Sequence, residues 1–305
     1  MPVNKRVQNY LKVVFKVLFS GAAIYYVTQK IDFTEVWAAI RESDLLFLLI
    51  AFFLYVFAVL LSTYRLNTIF AALPLKITNW TNIKLYWMGL FYNFFLPGGV
   101  GGDGYKVFLL NKYFGVKVKK LLSAVLAERV SGLSIILIYI LALVYYVDYE
   151  IPYQSWYFLF IPLVSAGYYL FLWIIQRPLT KVFWKVTLWS LVIQGIQMLV
   201  VISILKAMGT CVTGHRGDYL FLFFLSTIAA AIPVTLGGIG AREMTYAIGA
   251  LYLGIDQGHA VALSLIFYFI SLLSSIPGLF YSLFTHRIFK HEKLIEEQAE
   301  QKEKV

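Results

Sequence analysis

Phe91-Tyr-Asn-Phe-Phe-Leu-Pro-Gly-Gly-Val-Gly-Gly-Asp-Gly-Tyr-Lys106 sets a proline, five glycines, an aspartate and a lysine at the end of an apolar segment. The fourteen residues from Ile83 to Leu96 rise about 21 Å as helix, short of a hydrocarbon core of roughly 30 Å. Such a segment enters a bilayer without crossing it. Pro97 lacks a donor, and the cluster Gly98, Gly99, Gly101, Gly102 and Gly104 lets the backbone turn sharply. Irregular backbone at that depth is tolerated only inside protein or beside a water-filled cavity. The stretch therefore reads as the tip of a re-entrant helical hairpin. Gly99-Val-Gly-Gly-Asp-Gly104 also fits the dinucleotide pattern G-x-G-x-x-G, but that reading needs a preceding strand in a βαβ unit, and an aromatic membrane segment stands there instead.

A second stretch has the same grammar. Ala229-Ala-Ala-Ile-Pro-Val-Thr-Leu-Gly-Gly-Ile-Gly-Ala-Arg-Glu243 runs from an apolar segment through Pro233 and the cluster Gly237, Gly238 and Gly240 into charge, then into a short segment, Met244 to Leu253. Two interrupted segments in corresponding halves of a membrane chain point to an internal repeat with a site between its halves.

The 305 residues are 60% hydrophobic and 14% charged, with a mean hydropathy of +0.76, which together with apolar runs near twenty residues marks an all-α polytopic membrane protein. The net charge of +10 orients loops and meets anionic lipid rather than nucleic acid. The single Cys211 excludes an intramolecular disulfide and a thiolate metal cluster.

In order, Lys5, Arg6, Lys12 and Lys16 precede an apolar run ending near Thr28, read as an uncleaved first span because no small-x-small cleavage site follows it. Further spans are expected at Leu45 to Tyr64, Leu121 to Tyr146, Trp156 to Ile175, Leu188 to Met208 and His259 to Phe284, six in all. Residues 83–111 and 219–253 form the two hairpins. The division is a first repeat at 1–150, a second, inverted repeat at 151–285, and a charged tail at 286–305. With both termini cytoplasmic, that side receives 20 Lys and Arg, Arg65 among them. The other side receives Lys30, Arg41, Lys206 and Arg216, as the positive-inside rule favours. Three crossings in the first half invert the second, so the Pro97 and Pro233 hairpins enter from opposite sides.

Glu128 and Arg129 fall inside the third span, where an unpaired charge costs at least about 2.5 to 3.5 kcal/mol. Helix neighbours diverge by about 100°, so each needs its own partner. Asp103 and Lys106 on one hairpin, and Arg242 and Glu243 on the other, are the candidates, either as a substrate site or as a brace. Half-helix starts after Gly104 and Gly240 offer N–H groups and positive dipole ends. With Lys106, Arg129 and Arg242 they make an anion-friendly cavity suited to a phosphate head group. Tyr25, Tyr26, Trp156 and Tyr157 read as interfacial anchors. The histidines, at 215, 259, 286 and 291, are scattered without metal-ligand spacing, and Asp148-Tyr-Glu150 reads as a solvated turn in preference to a weak metal-binding pair.

The segments FLPGGVGGDGYK and IPVTLGGIGAREM, with the Glu-Arg pair between them, resemble the flippase-like integral membrane family that also forms the transmembrane part of lysylphosphatidylglycerol synthases, the bacterial multiple peptide resistance factors. The resemblance covers nearly the whole chain. It implies a multi-pass protein of the bacterial inner membrane that handles lipid, with Asp103, Lys106, Arg129, Arg242 and Glu243 in matching motif positions. The soluble aminoacyl-transferring domain of the synthases has no counterpart in this sequence, so lipid lysylation by this chain alone is not expected.

Three functions are weighed: a lipid transporter, an enzyme acting on lipid-linked substrates, and a scaffold subunit for another membrane enzyme. No Walker motif supports ATP coupling, and no cofactor or metal is expected. The expected partners are a phospholipid or lipid-linked substrate and the membrane itself, with room for a homo-oligomer or a partner membrane enzyme.

Overall fold

The computed structural model describes residues 41–73, 75, 77–95, 101–149, 153–209, 215–231, 241–290 and 292. The first expected span, both hairpin tips (Pro97, Gly98 and Gly99; Pro233, Gly237, Gly238 and Gly240), Cys211, Glu150, His291 and most of the tail lie outside these residues.

All regular structure among the described residues is helical. Asp44 caps the first helix, α1 (Leu45–Ala71), by accepting from the Leu46 N–H at 2.8 Å. Two shorter helices follow, α2 (Asn79–Phe95) and α3 (Gly101–Phe114). Next come α4 (Val118–Leu143), extended by a 3-10 turn through Tyr146, α5 (Phe160–Ile175), and α6 (Phe183–Ala207). A second short pair, α7 (Arg216–Ala231) and α8 (Ala241–Leu253), precedes α9 (Gln257–Ser275) and α10 (Pro277–Leu283).

Among the described residues, five stretches are long and apolar enough to cross a membrane: Leu45–Ala71, Val118–Tyr146, Trp156–Ile175, Arg177–Ala207 and Gln257–Leu283. They correspond to the second through sixth expected spans. Two boundaries differ most: the stretch expected from Leu188 begins eleven residues earlier, at Arg177, and the first continues past Tyr64 through Arg65 to Ala71. Arg65 is thus a buried residue within a helix rather than a loop charge, because an opposite charge awaits it in the fold.

The short helices behave differently. At 17, 14, 16 and 13 residues, α2, α3, α7 and α8 rise about 26, 21, 24 and 20 Å, each less than a hydrocarbon core. Each pair is antiparallel. Gly102 of α3 meets Asn93 and Gly89 of α2, whereas Lys106, one turn on, reaches Tyr86. In the second pair Leu222 abuts Gly249, and Ser226 lies beside Tyr246.

The most extensive contact is between α1 and α6, and α4 packs on α5, α6 and α7, with Tyr139 stacked on Phe224. Lipid hydrocarbon is as apolar as these side chains, so close packing and satisfied polar groups hold such helices together. The interfacial serines accordingly return their hydroxyls to carbonyls one turn back, as Ser62 does to Ala58 and Ser274 to Ile270. Helix α5 sits at the rim: little of the stretch Trp156–Ile175 is buried, and Leu163 and Ile174 are exposed. The described part of the tail is not a free appendage. Phe289 is fully buried, stacked 4.9 Å from Tyr113, and the buried Glu292 accepts from the hydroxyls of Thr78 at 2.7 Å and Thr81 at 2.6 Å where α2 begins.

Candidate functional site

Two glycines allow α3 to press on α2. A Cβ at Gly102 would stand 1.8 Å from the Gly89 carbonyl oxygen, and one at Gly89 would stand 2.3 Å from Lys106 Cε. With neither Cβ present, the amino end of α3 docks on α2, its Gly102 N–H donating to Asn93 Oδ1 at 2.9 Å. The Lys106 side chain runs through the space left at Gly89. Its ammonium sits 4.2 Å from the centre of the Tyr86 ring, 3.0 Å from Asp103 Oδ1 and 3.8 Å from Glu128 Oε2.

The third span supplies the rest. Glu128 Oε1 takes the Arg65 guanidinium at 3.1 Å, and that guanidinium also donates to Ser190 Oγ at 3.1 Å. Ser190 in turn donates to Ser131 at 3.1 Å, and Arg129 Nε pairs with Asp103 Oδ2. Asp103 occupies the first turn of α3, where the helix dipole favours a carboxylate. Four of the five charged side chains are less than one-tenth exposed, while Arg129 is 29% exposed.

Arg65, Asp103, Lys106, Glu128 and Arg129, with Tyr86, Leu90 and Asn93, line a cavity of about 170 Å³. Among the described residues around it, three cations against two carboxylates leave one positive charge in excess. Drug-sized ligands occupy about 300–1,000 Å³, so this space holds a small polar group and not acyl chains. A larger cavity of about 640 Å³ lies near Glu42, Met208 and Asp256. Its charged lining among the described residues is acidic apart from His259, so it offers little to an anion despite its size.

Of the residues singled out in the sequence, Asp103, Lys106, Glu128 and Arg129 converge. Arg242 and Glu243 have described contacts elsewhere: Glu243 accepts from Ser264 of α9 at 3.0 Å, and the Arg242 guanidinium lies 5.0 Å from the Phe267 ring centre. Arg242 Nε is buried and meets no hydrogen-bond partner among the described residues. Tyr55, Tyr246 and Tyr268 stand within electrostatic reach of it. Phe94 of α2 packs against Tyr268 with ring centres 5.4 Å apart, so an aromatic contact connects the two polar regions.

Sequence reasoning missed Arg65, Tyr86, Asn93 and Ser190. For Arg65 a signal existed: Leu66, Ile69 and Phe70 keep the run apolar beyond it, and an unmatched Glu128 implied a buried cation.

The family model described as "Lysylphosphatidylglycerol synthase TM region" matches residues 13–185 and 175–278. No curated protein and no solved structure matches the sequence. The matched residues span most of the chain, including both short-helix pairs and the five-charge cluster, and the chain belongs to this lysylphosphatidylglycerol synthase transmembrane-region family.

Proposed function

We propose that this chain is a lipid transporter of the bacterial inner membrane, moving an anionic or lipid-linked head group through a polar cleft while acyl chains stay in the bilayer. The observation that carries the reading is the buried cluster of Arg65, Asp103, Lys106, Glu128 and Arg129 around a head-group-sized cavity, with Arg129 its most exposed member. Charge at that depth is expensive and marks a substrate path more often than a fold element. An excess cation beside the amino end of α3 suits phosphate, and the guanidinium fork of Arg129 matches its oxygens. Asp103, Lys106, Glu128 and Arg129 are assigned to one wall of this path, and Arg242 and Glu243 to the other.

The two antiparallel pairs are read as re-entrant hairpins. Each follows a long helix and precedes another, as α1, α2–α3, α4 and α6, α7–α8, α9 do. With the first span, outside the described residues, the five long apolar stretches, α5 among them, make six crossings in an inverted repeat, both termini cytoplasmic and the hairpins inserted from opposite faces. Such repeats place their sites near the midplane.

A second reading is favoured by the family's association with lysylphosphatidylglycerol synthases: the chain would be a membrane-embedded part of, or accessory to, an enzyme modifying lipid-linked substrates. Reconstitution into liposomes with head-labelled anionic lipids separates the two. Transport predicts faster exposure of label to an impermeant quencher, loss of that gain in folded Arg129→Ala and Arg242→Ala, and partial return with lysine. A chemically changed lipid favours the enzyme. No acceleration with any anionic lipid defeats the transporter.

A further inference from the structure

The fold assembles a three-ligand set that sequence spacing conceals. Asp148 lies in the turn after α4, His215 precedes α7, and Asp218 sits in the first turn of α7. His215 Nδ1 is 3.2 Å from Asp148 Oδ2 and 3.0 Å from Asp218 Oδ2, and one donor atom from each residue falls within 4.8 Å of the others. Bonds of about 2.0–2.2 Å to a tetrahedral zinc ion put its ligands about 3.3 to 3.6 Å apart, and the two separations of His215 Nδ1 from the carboxylates, 3.2 and 3.0 Å, come close to that spacing.

The surroundings are built for this approach. A Cβ at Gly217 would stand 1.9 Å from the Tyr146 carbonyl oxygen, so glycine there lets the start of α7 lie against the turn. The Asp218 side chain is fully buried. Its Oδ1 accepts from the Asp148 backbone N–H at 3.2 Å, which leaves Oδ2 directed at the imidazole. Such an outer-shell bond orients a metal-binding carboxylate. His215 and Asp148 are about half exposed, at 50% and 56%, so an ion and its remaining waters can reach the set.

We propose that Asp148, His215 and Asp218 bind one divalent transition-metal ion of the zinc class. The imidazole nitrogen selects against magnesium and calcium, which prefer all-oxygen shells. The ion clips the turn after α4 to the start of α7. It thereby links the helix carrying Glu128 and Arg129 to the pair carrying Arg242. Nothing in the assignment depends on the lipid transported.

The test is Zn²⁺ binding to the purified full-length chain in detergent, by competition with a chromogenic chelator. One ion per chain is expected, with affinity falling at least about 100-fold in His215→Ala and in Asp148→Asn, an exposed change that spares the buried Asp218. His259→Ala, which removes the imidazole of another exposed histidine–aspartate pair, should bind like wild type. Zn²⁺ at a hundredfold excess over Kd should raise the thermal midpoint of wild type by roughly 5 °C and leave His215→Ala unmoved. The proposal is overturned if wild type shows no saturable site, or if His215→Ala and Asp148→Asn, still folded, bind Zn²⁺ as wild type does.

Discussion

Replacing Arg65 by methionine tests whether the buried charges brace the fold. Methionine keeps much of the apolar stem and deletes the guanidinium that pairs with Glu128 and Ser190, both at 3.1 Å. Removing one member of a buried pair costs about 3–5 kcal/mol, because a carboxylate is left without its counter-charge. Lys106 still stands 3.8 Å from Glu128, which places the expected loss at the lower end, about 3 kcal/mol. For a chain of this size that is roughly 6 °C in thermal midpoint. The double variant Arg65→Met/Glu128→Met removes the orphaned carboxylate while Lys106 keeps Asp103 at 3.0 Å. It should recover about half the loss or more, a coupling that two independent sites would not show. The assay is SDS-driven unfolding in mixed micelles followed by tryptophan fluorescence, with thermal midpoints alongside. A single variant within about 1 kcal/mol of wild type, or a double variant showing simple additivity, refutes the reasoning.

Gly102→Ala, whose methyl would stand 1.8 Å from the Gly89 carbonyl oxygen, should cost about 2 kcal/mol or more by forcing α3 off α2. Gly104→Ala, with nothing within 4 Å, should be neutral or gain up to about 1 kcal/mol; equal midpoints for the two variants would contradict the close approach. Asp256 caps α9 through the His259 N–H at 2.7 Å, and that bond together with the His259 ring holds its carboxyl below the usual value. Its contribution is therefore present above the ordinary aspartate range, near 3.9, and fades as pH falls through the lowered value. Asp256→Ala should cost about 1 kcal/mol at pH 7, and Asp256→Asn only a few tenths, with thermal midpoints at pH 7 and 3 as the check. In a Cys211→Ser background, single cysteines at Gln29 and Gln301 should label from opposite faces of the membrane; labelling from the same face overturns the orientation.

Hydropathy over twenty residues is a local property, so the sequence by itself determined that the chain is a helical membrane protein and located its second through sixth spans, with ends up to eleven residues off. It also picked out two interrupted segments, whose apolar helices at a rise of 1.5 Å per residue are shorter than the other spans. The Glu-Arg pair in the third span announced itself because isolated charge in hydrocarbon is costly. Which partner answers each charge was a tertiary matter. Arg65 is 63 positions from Glu128, and whether a helix continues through an arginine depends on what stands beside it in space. Lys106 reaches Glu128 only because Gly89 leaves room, and Asp148 meets His215 only because Gly217 lets two backbones touch. Glu292 finds Thr78 across more than two hundred residues. Pairings of this kind are set by packing among helices, which no window of sequence contains.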